Sequence, residues 1–214
     1  MTTINAHGEL IFADYPSFRP NLSPRDIFTQ GSFGGTYWRK IDSAVTNKTH
    51  RNRHKKYPWL SDLDNKIMTV PWDKYDVSIN KYKQKVGTTL EFWESKKWID
   101  KSHPYGWVQW YCDFCMGERS DDDKRQIDRW NKTAGPNSRF RRRLINMILN
   151  RGAKYDDISI SPKIRQTLQH WGYVLTKRDC IPKPKPPPKN CKKWETLLNF
   201  GTHNYVHADY RVWN

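Results

Sequence analysis

Trp107, Trp110, Tyr111 and Phe114 recur at i, i+3, i+4 and i+7, which puts four large rings on one face of a helix. A face of that size has two uses. It is buried as the centre of a core, or it is exposed as a platform on which bases stack. We read it as core, and either use obliges the rest of the chain to be arranged around it. Composition agrees with an aromatic rather than aliphatic interior: hydrophobic residues make up only 36 %, yet 14 % of the chain is aromatic, with 11 Trp. Disordered chains are poor in such residues.

The stripe belongs to a stretch from Pro104 to Gly172 that reads as about four consecutive helices. The first ends at Gly117. Asp121, Asp122 and Asp123 open the second, where carboxylates suit the positive end of a helix better than a shared metal ion. Ile127 and Trp130 face inward there, which leaves Arg125 and Arg129 available. Ala134, Gly135 and Pro136 stop that helix, and Asn137 or Ser138 caps the next, over 139–150. Phe140, Leu144, Met147 and Ile148 form its apolar stripe, with Arg139, Arg142 and Arg143 largely opposite. Between Asn137 and Lys154 there are six basic residues and no acidic one. The fourth helix starts at Ser161 and Pro162. Ile164, Leu168 and Trp171 are expected inward, with Arg165, Gln166 and Gln169 together outward. Arg and Gln are side chains that read base edges, but they are also ordinary surface helix formers. His170 beside Trp171 is a structural residue or a candidate acid or base.

Ahead of this stretch, Leu10 to Phe12 suggests a short strand. Ser23 and Pro24 start a short helix that Gly31 ends. Gly31, Gly34 and Gly35 then let the backbone turn sharply or approach a ligand closely. One reading is a phosphate cradle formed by Gly34, Gly35, Thr36 and Tyr37 with Arg39 nearby; the plainer one is a tight turn between helix and strand. Residues 40–56 carry Lys40, Lys48, Arg51, Arg53, Lys55 and Lys56 against Asp42 alone, an exposed basic loop suited to tracking phosphates or simply solvated. Residues 57–89 lack a helical period, with a short strand expected near Lys85 to Gly87. Thr88 or Thr89 caps a helix from Leu90 to Trp98. Tyr173 to Thr176 suggests a strand.

The fold expected is mainly α: a compact helical domain with short β elements near the N-terminus and a basic, proline-rich C-terminal tail. The domain spans 1–178, the linker 179–193 and a short apolar segment 194–214. No run of 18 apolar residues occurs, so no membrane span is expected. The N-terminus lacks the pattern of a signal peptide, which points to an intracellular protein of nucleus, cytoplasm or virion, with reduced cysteines. Cys112, Cys115, Cys180 and Cys191 could complete a zinc site. However, the first two fall inside the aromatic helix and the last follows the linker, so no metal or cofactor is expected.

A formal charge of +16 concerns partners rather than fold. It favours nucleic acid, DNA before RNA. The candidate contacts are Arg39, Lys48, Arg51, Arg53, Arg125, Arg129, Arg139, Arg142, Arg143, Arg165, Gln166 and Gln169. A nucleic-acid-processing enzyme of nuclease or base-excision type is the alternative, with Thr36, Tyr37 and Arg39 on the phosphate side and Asp122, Asp123, Asp156 or His170 as acid, base or ligand. A structural basic component of a virion or ribonucleoprotein particle is the third reading.

Three segments together carry a resemblance: Tyr15-Pro-Ser-Phe-Arg-Pro-Asn-Leu-Ser-Pro24 leading to Gly31-Ser-Phe-Gly-Gly-Thr-Tyr-Trp-Arg39, then Tyr105-Gly-Trp-Val-Gln-Trp-Tyr111, then Ser161 to Gly172. They resemble an uncharacterised family of hypothetical proteins in large DNA viruses, algae and fungi. The resemblance covers roughly residues 10–178 and leaves out the tail and the cysteine pair. It implies a stable domain with a shared site and carries over no activity.

Overall fold

The aromatic stripe is the centre of the structure. In the computed structural model, which describes residues 3–181, the helix α3 (Trp107–Cys115) is buried along nearly its whole length. Phe18, from the N-terminal arm, lies at the middle of the cluster. Its ring meets Trp110, Tyr111, Phe114 and Trp130 at centroid distances of 5.1–5.8 Å in tilted or edge-on geometry. Such pairs contribute about 0.5–1.5 kcal/mol each beyond the area they bury. The stripe is therefore core and not a stacking platform.

Rings with a polar atom need a partner when buried, and most of these have one. Trp110 Nε1 donates to Asp123 Oδ1 at 2.8 Å, Trp130 Nε1 to the Trp171 carbonyl at 2.8 Å, and the Tyr111 hydroxyl to the Leu22 carbonyl at 2.8 Å. The first of these explains the acidic run. Asp123 is buried, and also accepts the Ser120 N–H and hydroxyl.

The domain is mainly helical, with six α-helices and two small sheets. β1 (Thr3–Ile4) pairs with β2 (Leu10–Ile11), and β3 (Ile41–Ser43) with β4 (Lys48–His50), both antiparallel. α1 (Pro24–Thr29) has a full capping box: the Asp26 N–H reaches the Ser23 hydroxyl, and Asp26 accepts the Ser23 N–H. α2 (Leu90–Ser95) is capped by Thr89. α4 (Asp123–Thr133), α5 (Arg139–Asn150) and α6 (Pro162–His170) follow α3, with Ser138 capping α5. α5 packs on both α4 and α6. Among the described residues, no helix is long and apolar enough to cross a membrane.

Several local expectations are corrected. The basic segment 40–56 is a β-hairpin followed by a 3-10 turn at Arg53–Lys56, not an open loop. Lys85 to Gly87 and Tyr173 to Thr176 form no strand; Tyr173 and Leu175 are nonetheless buried and pinned, since Asn21 bonds the Val174 backbone in both directions. α2 stops at Ser95, and Lys97 adopts φ +56°. Ser161 precedes α6 in a left-handed conformation without a side-chain cap, unlike Ser23. The linker expected from 179 begins inside the domain, since Asp179 and Cys180 lie in a 3-10 turn at Lys177–Cys180; its proline-rich part, the C-terminal segment and Cys191 lie outside the described residues.

Candidate functional site

The glycine turn at 31–35 is an interior turn. Gly34 donates its N–H to Asn80 Oδ1 at 2.8 Å, Gly35 to the Ser32 carbonyl, and Thr36 to the Phe33 carbonyl. Those three amides are spent within the protein, so Gly34, Gly35 and Thr36 have no free backbone donor to cradle a phosphate. The glycines serve close approach instead. A Cβ on Gly34 would lie 2.5 Å from the Tyr75 ring, and one on Gly35 2.7 Å from the Lys66 carbonyl.

What the turn does build is one wall of a cavity of about 240 Å³. Phe33, Tyr37, Phe92, Trp93, Trp98, Trp107 and Trp171 supply seven aromatic walls, and Thr88, Thr167, His170 and Arg129 the polar groups. A smaller recess adjoins it, shares Phe33, Tyr37 and Trp93, and adds Arg39, Trp72 and Tyr75. Drug-sized ligands occupy roughly 300–1,000 Å³, so the main cavity has room for one planar ring system. Trp72, Phe92 and Trp98 around these openings are 39 %, 40 % and 40 % exposed, unusual for rings of that size in this protein.

Three cations flank the two openings. Arg129 lies 5.6 Å from the Trp98 ring centroid and 5.4 Å from that of Trp171, and donates to the Trp98 carbonyl and to Gln126 Oε1. Burial pulls its pKa down to about 10, which leaves it charged at neutral pH. Arg39 sits 5.0 Å from the Trp72 centroid and is also lowered by burial, with Glu91 the largest opposing influence. Lys85 Nζ lies 4.9 Å from the Tyr75 centroid and 5.6 Å from that of Trp72. Among the described residues, none of the three forms an ion pair. A half-buried guanidinium without an ion-pair partner is costly to hold. Its presence here suits an anionic ligand and opposes a cationic one.

His170 closes the inner end. Its Nε2 accepts the Phe33 N–H at 3.2 Å, so the neutral ring carries its proton on Nδ1. Burial drives its pKa down to about 3. At neutral pH it is a weak base and not a proton donor of general-acid strength. Trp107 also lines the cavity, and its buried indole N–H makes no hydrogen bond.

Of the residues expected to contact nucleic acid, only Arg129 borders the main cavity and only Arg39 the smaller recess. Lys48, Arg51 and Arg53 are exposed on the hairpin and the turn after it, and Arg139, Arg142 and Arg143 lie on the outer side of α5, where Arg139, Arg142 and Arg143 are exposed. Arg125 is tied to Asp122 through Nη2–Oδ2 at 2.7 Å, so it is not available as expected. The outward triad of α6 is overturned. Arg165 is 4 % exposed and Gln166 and Gln169 are fully buried. Arg165 donates to the Ile160 and Tyr155 carbonyls. Gln166 accepts the Tyr82 N–H at 2.8 Å, and Gln169 donates to the Ile27 carbonyl at 2.7 Å. Their chemistry is the satisfaction of buried backbone, not the reading of bases.

Sequence reasoning missed Lys85 and the joint role of Phe33, Trp93, Trp98 and Trp171. Cys112 and Cys115 are enclosed by the core, and burial pushes both thiols up, which keeps them protonated. Among the described residues, Asp100, His103 and Asp122 are the group placed to hold a metal ion. Comparison with family models, curated proteins and solved structures finds no match for the chain.

Proposed function

We propose that this chain binds nucleic acid and takes a single unstacked base into the aromatic cavity, with Arg39, Lys85 and Arg129 on the adjoining phosphates. The observation that carries the reading is the pairing of an aromatic-walled cavity with three cations that form no ion pair among the described residues. Every base has a π-face, and stacking on an aromatic side chain is worth about 1–3 kcal/mol per base. Arginine adds bidentate phosphate contact. An aromatic cage for a quaternary ammonium would need the same rings without the cations. The exposed arginines of α5 and the hairpin lysine and arginines supply a further, sequence-independent attraction.

Fluorescence anisotropy with labelled single-stranded and duplex oligonucleotides, in DNA and RNA forms, tests the reading. The single-stranded or mismatched forms should bind more tightly than a perfect duplex. Trp98→Ala and Lys85→Glu should each weaken that binding at least tenfold. Equal binding of all forms, unchanged by either substitution, would remove the proposal.

A further inference from the structure

Beside the cavity, the turn before α3 meets the start of α4. Asp100 and His103 face each other across this turn in a β-bridge, and Asp122 is the N-cap residue of α4. One ligand atom from each of the three lies within 4.8 Å of the others. Two carboxylates beside an imidazole could be a coincidence of surface charge, but His103 is not a surface residue. It is 5 % exposed, and its Nδ1 is buried without a hydrogen-bond partner. An orphaned buried polar atom costs about 1–3 kcal/mol, and such atoms are rare.

The opposite side of the ring explains which nitrogen is available. His103 Nε2 lies 3.5 Å from Asp113 Oδ2. Asp113 is itself held by the Tyr57 hydroxyl at 2.9 Å and Lys56 Nζ at 2.7 Å. A carboxylate this close to Nε2, although not hydrogen-bonded to it, favours the proton there, which would leave Nδ1 with a bare lone pair. Metal-bound histidines have this arrangement, one nitrogen on the ion and the other N–H on a carboxylate. The carboxylates are positioned in the same way. Asp100 Oδ1 accepts the Ser102 N–H at 2.8 Å, and Asp122 Oδ2 accepts from Gln126 Nε2 at 2.8 Å. Arg125 also bonds Asp122, but a carboxylate has about four lone-pair sites and can serve both. The two carboxylates, Asp100 and Asp122, open onto a surface recess.

We infer that Asp100, His103 and Asp122 form a binding site for a divalent transition metal ion of the zinc class. One nitrogen and two oxygens suit that class better than calcium or magnesium, which take oxygen alone. A fourth position would be left to water. The site adjoins the proposed nucleic-acid interface, since Gln126 donates to Asp122 and accepts from Arg129, but shares no ligand residue with it.

The full-length protein, incubated with ZnCl₂ and dialysed against metal-free buffer, should retain one equivalent by elemental analysis. Co²⁺ in its place should give visible d–d bands without thiolate charge-transfer absorption. Asp100→Asn keeps the bond to Ser102 and should weaken metal binding at least about tenfold. His103→Gln should do the same. If His103→Gln fails to fold by circular dichroism, Asp100→Asn alone decides. No retained metal, retention unchanged in Asp100→Asn, or a thiolate band with Co²⁺ would each overturn the assignment.

Discussion

The imidazole of His170 stacks on the ring of Phe33 at a centroid distance of 3.9 Å, while its Nε2 accepts the Phe33 backbone N–H. One side chain thereby fixes both the ring and the backbone of the turn that walls the cavity. The arrangement requires the neutral imidazole, because a protonated Nε2 could not accept. Burial enforces this by holding the pKa at about 3.

A pH dependence follows. The unfolded chain takes a proton at His170 near pH 6.5, and the folded protein refuses it until about pH 3. Stability from this group is complete above pH 6.5 and is lost as pH falls through that window, by up to about 1.4 kcal/mol per pH unit. His50, His54 and His103 are also lowered, chiefly by burial, and add to the slope. Urea denaturation of the wild type and His170→Gln between pH 7 and pH 4.5 should give curves that differ in slope by nearly one proton. Parallel curves would mean that the folded protein protonates His170 freely.

Arg141 and its neighbours on α5 separate stability from binding. Arg141 is only 12 % exposed in its side chain and pairs with Asp179, 6 % exposed, while its guanidinium lies 4.0 Å from the Tyr173 ring centroid. Removing one partner of a buried pair costs about 3–5 kcal/mol. Tyr173 and Thr176 also donate to Asp179, so Arg141→Ala should cost near the lower end, about 3 kcal/mol. Arg142→Ala and Arg143→Ala are surface changes and should stay within about 0.5 kcal/mol, yet both should weaken oligonucleotide binding. Thermal and chemical denaturation of the three variants checks the first half, and anisotropy the second.

The contrast within α5 shows what a sequence reveals. Helical spacing located α3 to α6 and the burial of Leu144, Ile148, Ile127 and Trp130, because apolar periodicity reports burial directly. It failed on α6, where Gln166 and Gln169 are polar and completely buried. Their amides complete backbone hydrogen bonds contributed by Tyr82 and Ile27, residues far away along the chain. Nothing local marks such a glutamine as interior. The cavity was hidden for the same reason. Its walls come from the 33–37 turn, α2 and the turn after it, α3, α4 and the end of α6. Their assembly depends on long-range packing that no single period encodes.

Gly31 is the sharpest steric constraint on that packing. It adopts φ +93°, and a Cβ there would lie 1.9 Å from the Ile79 carbonyl oxygen. Gly152 has φ +59° with nothing within 4 Å. Both positions penalise an L side chain through the backbone, so Gly152→Ala measures that cost alone, roughly 1–2 kcal/mol. Gly31→Ala must also move the 79–81 backbone, which should add about 1–3 kcal/mol. Similar midpoints for the two variants in denaturant would show that the 79–81 segment yields without strain.

The cations beside the cavity make a separable prediction about salt. Each phosphate contact that is lost removes about one counterion from the linkage, which flattens the slope of log K against log salt by about 0.7 on a single strand. Lys85 is exposed and touches the site only through the faces of Trp72 and Tyr75. Lys85→Gln should therefore flatten the slope with little change in stability. Trp98→Ala removes a stacking wall but no formal charge. It should lower affinity at every salt concentration and leave the slope parallel to the wild type. Arg129→Gln should do both, because its guanidinium lies against Trp98 and Trp171 and carries the charge that faces the cavity. Anisotropy titrations over a range of salt, with a short single strand, distinguish the three patterns. If Lys85→Gln and Trp98→Ala shift the line in the same way, charge and stacking do not act as separate contributions at this cavity.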